Sequence, residues 1–544
     1  MHFLGRPILI LFAVVWFTVA SIPHAARAAS HDPPAGIRPT TATLQDILAR
    51  HSTAVGTPSN SIRSRVETDS ISAFGSTGTA QYVRVGSDFR LSETLGPLSD
   101  AEGARNGRHW VQTENGLTII MQGVHGSEQY IDRSPDDSLK NPSNHAKLLG
   151  ELGSPEDAYV IELKPNGGSP WYVFVDAKTF LIDRQEFGSG TDRSAVTYSD
   201  ERTTNGLTEP WHGHLDAPYK GNDLDWQVTS LRYGGEVPAT DLDIPPDRRH
   251  LLEFPAGKAT TLIPVRILDG AIVVRVQIAG RGVDLQVDSG ASGIFLDRGL
   301  VDALHLQTFG DSTPDKSGRY APAHAVLPDM QIGDLHMRNL IVNSLPWYYE
   351  PSDDTQVEGL IGYDFLASGF VKLDYLNQTL TVSDWNDVAL PAGQSFIVPA
   401  ALDDRVPTAG ARVGSDVGDH FVVDTGDSFG IFIFRRFADA HPEDVSDSGA
   451  GKQLRYVLPF VSALGVGGEI NVTPTQVRAF HFGGVGFDNF VLFVADRSDA
   501  FGMSDDDGLV GWGFLEFFDV YFDYHNYRIV LQPNKLLLRV TKQI

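Results

Sequence analysis

The sequence VDLQVDSGAS, residues 283–292, ends an apolar run in Asp-Ser-Gly, and HFVVDTGDS, residues 420–428, ends another in Asp-Thr-Gly. The two aspartates, Asp288 and Asp424, lie 136 positions apart (424 − 288). An aspartate at the end of a buried strand, followed by a hydroxyl residue and a glycine, lies on a tight turn, because glycine permits a close approach that a larger residue would block. The chain therefore carries two copies of one turn, and each copy offers one carboxylate.

The repeat extends beyond these two turns. Residues 359–382 (GLIGYDFLASGFVKLDYLNQTLTV) match residues 508–531 (GLVGWGFLEFFDVYFDYHNYRIVL), and residues 331–342 (QIGDLHMRNLIV) match residues 481–492 (HFGGVGFDNFVL). These offsets are 149 (508 − 359) and 150 (481 − 331), so the second copy has a longer loop between its Asp turn and its middle block. We infer that whole lobes are duplicated.

The N-terminal residues 1–28 have the pattern of a secretory signal. An apolar run of about a dozen residues precedes Ala26-Arg27-Ala28, which fits a small-x-small cleavage site. An uncleaved membrane anchor is the alternative, although the run is shorter than the roughly 20 residues of a spanning helix. We expect an exported protein, periplasmic or secreted, without a spanning segment once the signal is removed.

Composition limits the kinds of partner. The 544 residues carry a formal net charge of −26 and no cysteine, so the chain forms no disulfide, and nucleic acid and anionic membrane surfaces are disfavoured as partners. At about 150 residues per domain, this length predicts three to four units. The boundaries that we predict are a signal at 1–28, an N-terminal antiparallel β domain at 29–235, a Pro-rich linker at 236–257, and two lobes at 258–392 and 393–544.

The N-terminal domain has the pattern of an antiparallel sheet. Period-two alternation is broken by turn sequences such as PNGG at 165–168, which indicate hairpins, and a short amphipathic helix is predicted at 44–51. An opening helix followed by hairpins resembles the periplasmic lipoprotein-carrier superfamily, whose half-open barrel shelters acyl chains. The alternative is an ordinary half-barrel that packs against the next domain and binds no ligand.

Two Asp turns that meet face to face would create a site for acid-base chemistry. Two carboxylates this close cannot both ionise, so one proton is shared and the two apparent pKa values separate. The ionised carboxylate can then take a proton from a bound water while the protonated carboxyl donates to the carbonyl oxygen under attack. This arrangement hydrolyses peptide bonds without a metal or a cofactor.

The second half of the chain resembles the aspartic peptidases, in particular retropepsin-like bacterial members with both lobes in one chain. The resemblance implies a duplicated bilobal β fold and a peptide or protein substrate. It also implies that Asp288 and Asp424 are catalytic. The supporting residues are the hydroxyl braces and the glycines of the two turns and of the apolar-apolar-Gly elements packed beneath them: Ser289, Gly290, Thr425, Gly426, Gly362 and Gly511.

One residue departs from the family pattern. Ala291 follows the first Asp-Ser-Gly, as in the family, whereas Asp427 follows the second Asp-Thr-Gly. We expect this third acid to point to solvent or to meet Arg435 or Arg436. The substrate-covering hairpins are predicted at 310–328, where Tyr320 is a candidate flap aromatic, and at 457–475.

Other catalytic motifs do not match. The sequence has no H-E-x-x-H and no Gly-Lys-Ser/Thr phosphate loop. Three hypotheses stay open at this point: an exported aspartic endopeptidase, an inactive peptide- or lipid-binding envelope protein on the same fold, and an enzyme whose lobes complete their sites with a second chain. The oligomeric state is not predicted.

Overall fold

The computed structural model describes most of the chain. The described residues are 33–56, 64–122, 135–165, 170–187, 193–217, 223–247, 251–310, 323–347, 355–385, 388, 390–403, 405–445, 461–465, 468–495 and 506–540. The predicted signal at 1–28 and Tyr320 lie outside these ranges, so both stay predictions. Within them the protein is mainly β with a few short helices, which confirms the predicted fold class.

The N-terminal region forms one antiparallel sheet after an opening helix. Helix α1 (Leu44–Val55) begins at Thr43, whose side chain accepts a hydrogen bond from the Asp46 backbone, and it ends at Gly56 with a positive φ of 91°. Two single turns follow further on, α2 (Pro135–Ser138) and a 3₁₀ turn at Pro142–Asn144. The strands are β1 (Ser64–Ala73), β2 (Ser76–Val85), β3 (Asp88–Leu95), β4 (Leu98–Arg105), β5 (Arg108–Gln112), β6 (Thr118–Ile120), β7 (Lys147–Glu151), β8 (Ala158–Leu163), β9 (Trp171–Asp176), β10 (Ile182–Phe187), β11 (Ser194–Thr204), β12 (Leu207–Asp216) and β13 (Leu224–Tyr233).

These strands lie in the order β6-β5-β4-β3-β2-β1-β13-β12-β11-β10-β9-β8-β7. One face of the sheet carries two apolar clusters, and Trp226 on β13 packs against both. The cluster on β8 to β11 is covered by Ile47 of α1, whereas the cluster on β1 to β4 is covered by Phe309 and Ile341 from the first lobe. This face of the N-terminal sheet therefore packs against part of the first lobe.

The first lobe follows a 3₁₀ turn at Ala239–Leu242. Its elements are β14 (Thr260–Leu268), β15 (Ala271–Ile278), β16 (Arg281–Val287), β17 (Ile294–Asp297), α3 (Arg298–Ala303), β18 (Thr308–Phe309), β19 (Ala323–Ile332), β20 (Leu335–Leu345), β21 (Val357–Ile361), α4 (Tyr363–Leu366), β22 (Phe370–Asp374) and β23 (Thr379–Ser383).

The second lobe repeats this order. Its elements are β24 (Phe396–Pro399), β25 (Ala401–Asp403), β26 (Val406–Val413), β27 (Asp416–Val423), β28 (Ile431–Ile433), α5 (Arg435–Ala440), β29 (Val461–Gly465), β30 (Gly468–Phe482), β31 (Val485–Ala495), β32 (Gly508–Val510), α6 (Trp512–Leu515), β33 (Phe518–Asp523), a 3₁₀ turn at Tyr524–Asn526, β34 (Arg528–Pro533) and α7 (Lys535–Val540).

The same strand arrangement surrounds each Asp turn. The strand that leads into the aspartate, β16 or β27, pairs in parallel with β21 or β32, and that strand pairs antiparallel with β17 or β28. Strands β22 and β33 join the lobes through an antiparallel pairing that includes Leu373 and Val520. Because both lobes share this sheet and one apolar core, the two Asp turns are held on a common scaffold.

Matched residues of the repeat also share backbone conformation. Gly333 and Gly483, which turn the β19–β20 and β30–β31 hairpins, have φ of 59° and 57°. Asn339 and Asn489 have φ of 52° and 54°. The left-handed region favours glycine and asparagine, so the sequence repeat is a repeat of turn geometry.

Candidate active site

The two Asp turns are tied together by reciprocal hydrogen bonds. The Ser289 backbone N–H donates to Thr425 Oγ1 over 3.0 Å, and the Thr425 backbone N–H donates to Ser289 Oγ over 2.9 Å. Each hydroxyl in turn donates across the lobe boundary, Ser289 to the Val423 carbonyl (2.8 Å) and Thr425 to the Val287 carbonyl (3.0 Å). Four hydrogen bonds between buried groups thus fix one turn against the other.

Asp288 and Asp424 lie in this junction and are fully buried. The Gly290 N–H donates to Asp288 Oδ1 over 2.8 Å, and the Gly426 N–H donates to Asp424 Oδ1 over 2.7 Å. A Cβ built on Gly290 would lie 2.7 Å from the carboxyl carbon of Asp424, and one on Gly426 would lie 2.4 Å from that of Asp288. Each carboxyl therefore rests on the glycine of the other turn, which only a residue without a side chain allows.

The pair shares a proton, and its two members differ. Burial raises the pKa of Asp288 to about 6, while a hydrogen bond from Asp424 and backbone N–H groups act in the opposite direction. Burial raises the pKa of Asp424 well above its usual range, and the neighbouring charges of Asp288 and Asp427 raise it further. The pKa of Asp424 is raised more strongly, because it lies beside both other acids of the junction, Asp288 and Asp427.

The two apolar-apolar-Gly elements support the turns from below. The Gly362 N–H donates to the Gly293 carbonyl over 3.0 Å, and the Gly511 N–H donates to the Gly430 carbonyl over 2.7 Å. A Cβ on Gly362 would lie 2.3 Å from the Ala291 carbonyl oxygen. The structure thus brings all eight residues singled out from the sequence to one junction between the lobes.

Asp427 does not behave as expected. It is fully buried, so the expectation that it would point to solvent is wrong, and within the described residues Arg435 pairs with Asp439 rather than with it. Its Oδ1 accepts the Phe429 N–H (2.8 Å) and its Oδ2 accepts the Gly430 N–H (3.1 Å). Burial nevertheless raises its pKa to about 8, so the side chain braces the turn as a neutral acid near neutral pH.

The predicted flaps lie only partly within the described residues. In the first lobe, β18 pairs with the start of β19, and the segment between them is outside the described ranges. In the second lobe, β29 and β30 form a hairpin in which Gly465 pairs with Gly468. Whether these hairpins cover a substrate stays a prediction.

Two further tyrosines belong to the junction. Tyr375 and Tyr524, which occupy matched positions of the repeat, are buried, and burial raises the pKa of each hydroxyl well above 10. The charges of Asp288 and Asp424 act on Tyr524, and that of Asp424 acts on Tyr375. The repeat alignment contained this signal, but a tyrosine after a strand carries no chemistry by itself.

Two negative findings concern the described residues. Among them, no group of three or more His, Asp or Glu side chains is arranged to hold a metal ion. Within the same ranges, no helix is both long enough and apolar enough to cross a membrane.

Comparison with known proteins agrees with this geometry in the first lobe. A family model described as aspartyl protease matches residues 274–365, a range that contains Asp288 and Gly362. No curated protein matches the sequence. The comparison thus bears out, for the first lobe, the resemblance to aspartic peptidases.

Among solved structures, the aspartic proteinase from Irpex lacteus is 14% identical with a TM-score of 0.30, and the match covers 51% of this chain and 98% of that one. A LolA superfamily protein from Nitrosomonas europaea is 14% identical with a TM-score of 0.28, covering 37% and 98%. A DUF1329 family protein from Desulfovibrio piger is 17% identical with a TM-score of 0.27, covering 37% and 95%.

Proposed function

We propose that the protein is an exported aspartic endopeptidase that hydrolyses peptide bonds of a peptide or protein substrate. The observation that carries the proposal is the reciprocal bracing of Ser289 and Thr425, which holds two buried carboxyls against each other within one chain. Export is proposed from the pattern of residues 1–28. The match of an aspartyl protease family model to residues 274–365 supports the reaction class.

The chemistry follows from the unequal pair. Asp288, the member that ionises first, takes a proton from a water molecule as that water attacks the substrate carbonyl carbon. Asp424, the member that keeps its proton, donates it to the carbonyl oxygen, and a tetrahedral intermediate results. Asp288 then gives the proton that it took from water to the amide nitrogen, and one hydroxyl of the intermediate returns a proton to Asp424 as the C–N bond breaks, which releases two peptides and restores the pair.

The test uses the full-length protein and an unstructured protein substrate such as reduced casein, at pH values from 3 to 8. Asp288→Asn and Asp424→Asn should each abolish cleavage, because either change removes one of the two proton positions. A statine-type transition-state analogue should inhibit the wild type. The matched control is Asp329→Asn, which removes a half-exposed carboxyl of the first lobe paired with Arg338.

Full cleavage by either dyad variant, with the control also active, would refute the proposal.

A second candidate is an inactive peptide-binding protein, and Asp427 is the observation that favours it, since a third buried acid within the turn is absent from the family pattern. Tight binding of peptides without turnover over the same pH range would support this candidate. Acyl-chain binding has less support, because α1 and Phe309 and Ile341 of the first lobe cover the apolar face of the half-barrel.

A further inference from the structure

The N-terminal sheet reaches the lobe junction through the loop 113–117, between β5 and β6. Asn115 in this loop is buried, and its side-chain amide binds both polar backbone groups of Ile341 on β20. Its Nδ2 donates to the Ile341 carbonyl over 2.9 Å, and its Oδ1 accepts the Ile341 N–H over 2.8 Å. Strand β17 pairs with β20 only from Asn343 onward. At Ile341, before that pairing begins, the Asn115 amide binds the backbone groups of β20 in place of a neighbouring strand.

The same amide also contacts the first Asp turn indirectly. Asn115 Nδ2 donates to Asp364 Oδ1 over 3.0 Å. A Cβ on Gly293 would lie 3.1 Å from Asp364 Oδ2, so the carboxyl of Asp364 packs directly against the backbone five residues after Asp288. A change at Asn115 is therefore transmitted through one side chain to the loop that carries Asp288.

The neighbouring residue of the loop binds the second lobe. Glu114 forms a two-pronged ion pair with Arg405, with N–O distances of 2.9 and 2.8 Å, and both side chains are largely buried. Arg405 lies in the turn between β25 and β26, with a φ of 70°. Two adjacent residues of one loop thus contact both lobes, and Leu117 and Ile119 after them enter the core shared by the lobes.

The contact exists on one side of the duplicated unit only. Asp364 stands in the four-residue helix α4, and the matched position of the second lobe, in α6, is Gly513. The acid is thus present in the lobe that receives the loop 113–117 and missing from the other. If the acid only packed within its own lobe, no difference between the two lobes would be needed. If it binds Asn115, it is needed only in the first lobe, where Asp364 lies.

We propose that Asn115 and Glu114 are positioning residues of the site, so that the loop 113–117 is a fixed part of the catalytic unit rather than of a separable domain. This inference rests on the proposed function only for its kinetic consequence. The loop fixes where Gly293 and therefore Asp288 lie relative to the second lobe. The predicted linker at 236–257 then joins two parts that work as one.

The test is Asn115→Ala in the full chain, with Asn144→Ala as the matched control. Asn144 is also a buried asparagine of the N-terminal region, but its side-chain amide donates to the Ser138 carbonyl over 3.1 Å, in the segment before β7. Amide hydrogen exchange in peptides covering 288–294 should rise in Asn115→Ala and stay unchanged in the control.

The kinetic readout is a kcat lowered about 100-fold with KM little changed, since misplacement of a reacting group by about 1 Å has an effect of that order. Unchanged exchange at 288–294 in folded Asn115→Ala would overturn the inference, whether or not the protein is active. A wild type without turnover would instead refute the proposed function and leave the exchange measurement to decide.

A swap of the two side chains keeps the inference testable if Asn115→Ala does not fold. Asn115→Asp alone places an acid against the carboxyl of Asp364 and should increase exchange at 288–294. Adding Asp364→Asn restores an amide-carboxyl pair with the roles exchanged, so exchange should fall part of the way back toward the wild-type level, while the Ile341 carbonyl still lacks the donor that Asn115 supplied. A double variant no better than Asn115→Asp would contradict a positioning contact between these residues.

Discussion

The third acid of the site gives a prediction about stability that can be worked out in sign and size. Asp427 is fully buried, and its folded-state pKa is raised to about 8 from a reference value of 3.8. Because the pKa of the folded state is raised, this group stabilises the folded protein at pH values below its unfolded-state pKa. That contribution is lost as the pH rises through the folded-state pKa. Asp427→Asn removes the ionisable carboxyl but keeps the shape of the side chain.

Between pH 4 and pH 7 the wild type should therefore lose stability relative to Asp427→Asn. The loss is about 1.4 kcal/mol per pH unit, which gives up to about 4 kcal/mol over this window. At pH 4 the two proteins should differ by less than about 1.5 kcal/mol, because the amide replaces a neutral acid and gives up one of two accepted hydrogen bonds.

The assay is urea or thermal unfolding of all variants in parallel at pH 2, 3, 4, 5, 6 and 7, followed by tryptophan fluorescence. Asp444→Asn serves as a control of opposite sign. Hydrogen bonds from Ser415 and Arg478 hold the pKa of Asp444 at about 2, so its contribution is present at neutral pH and is lost as the pH falls below 4. A stability difference for Asp427→Asn that does not change with pH would refute the neutral-acid reasoning.

Two further predictions concern the bracing and the glycines. Ser289→Ala and Thr425→Ala should each destabilise the protein by about 1–3 kcal/mol, because each leaves a buried N–H and a buried carbonyl without a partner; an unchanged unfolding midpoint would count against the reciprocal bracing. Gly511→Ala should prevent stable folding, since its Cβ would lie 1.9 Å from Asp427 Oδ2, whereas Gly430→Ala, with 3.9 Å to the nearest atom, should be tolerated. Soluble yield and circular dichroism compare the pair, and equal stability would contradict the geometry.

The duplicated part of the fold was the most predictable from the sequence. Residues that recur in both copies, such as Gly333 and Gly483, mark positions where the backbone adopts one particular conformation, so their match in sequence predicted shared turns. The site residues were predicted by the same means, because Asp288 and Asp424 each follow an apolar strand and precede a hydroxyl residue and a glycine. Local rules of turn chemistry and burial were sufficient for these elements.

The contacts made by single copies were not predictable in this way. Asn115 and its neighbour Glu114 lie far along the chain from their partners Asp364 and Arg405 and belong to no motif, so only the three-dimensional packing brings these pairs together. The environment of Asp427 was also mispredicted. Arg435 and Arg436, a few residues further along the chain, suggested an ion pair, but the tight turn directs the Asp427 side chain inward, where it accepts the backbone N–H groups of Phe429 and Gly430.

The duplication itself has a consequence for how the site can change. In a site built from two identical chains, symmetry makes both aspartates equivalent, and the shared proton has no preferred side. Here each half has its own sequence, so Ala291 and Asp427 can differ, and the unequal surroundings raise the pKa of Asp424 more strongly than that of Asp288. Joining the halves in one chain thus turns the direction of proton transfer into a heritable property that single substitutions can tune.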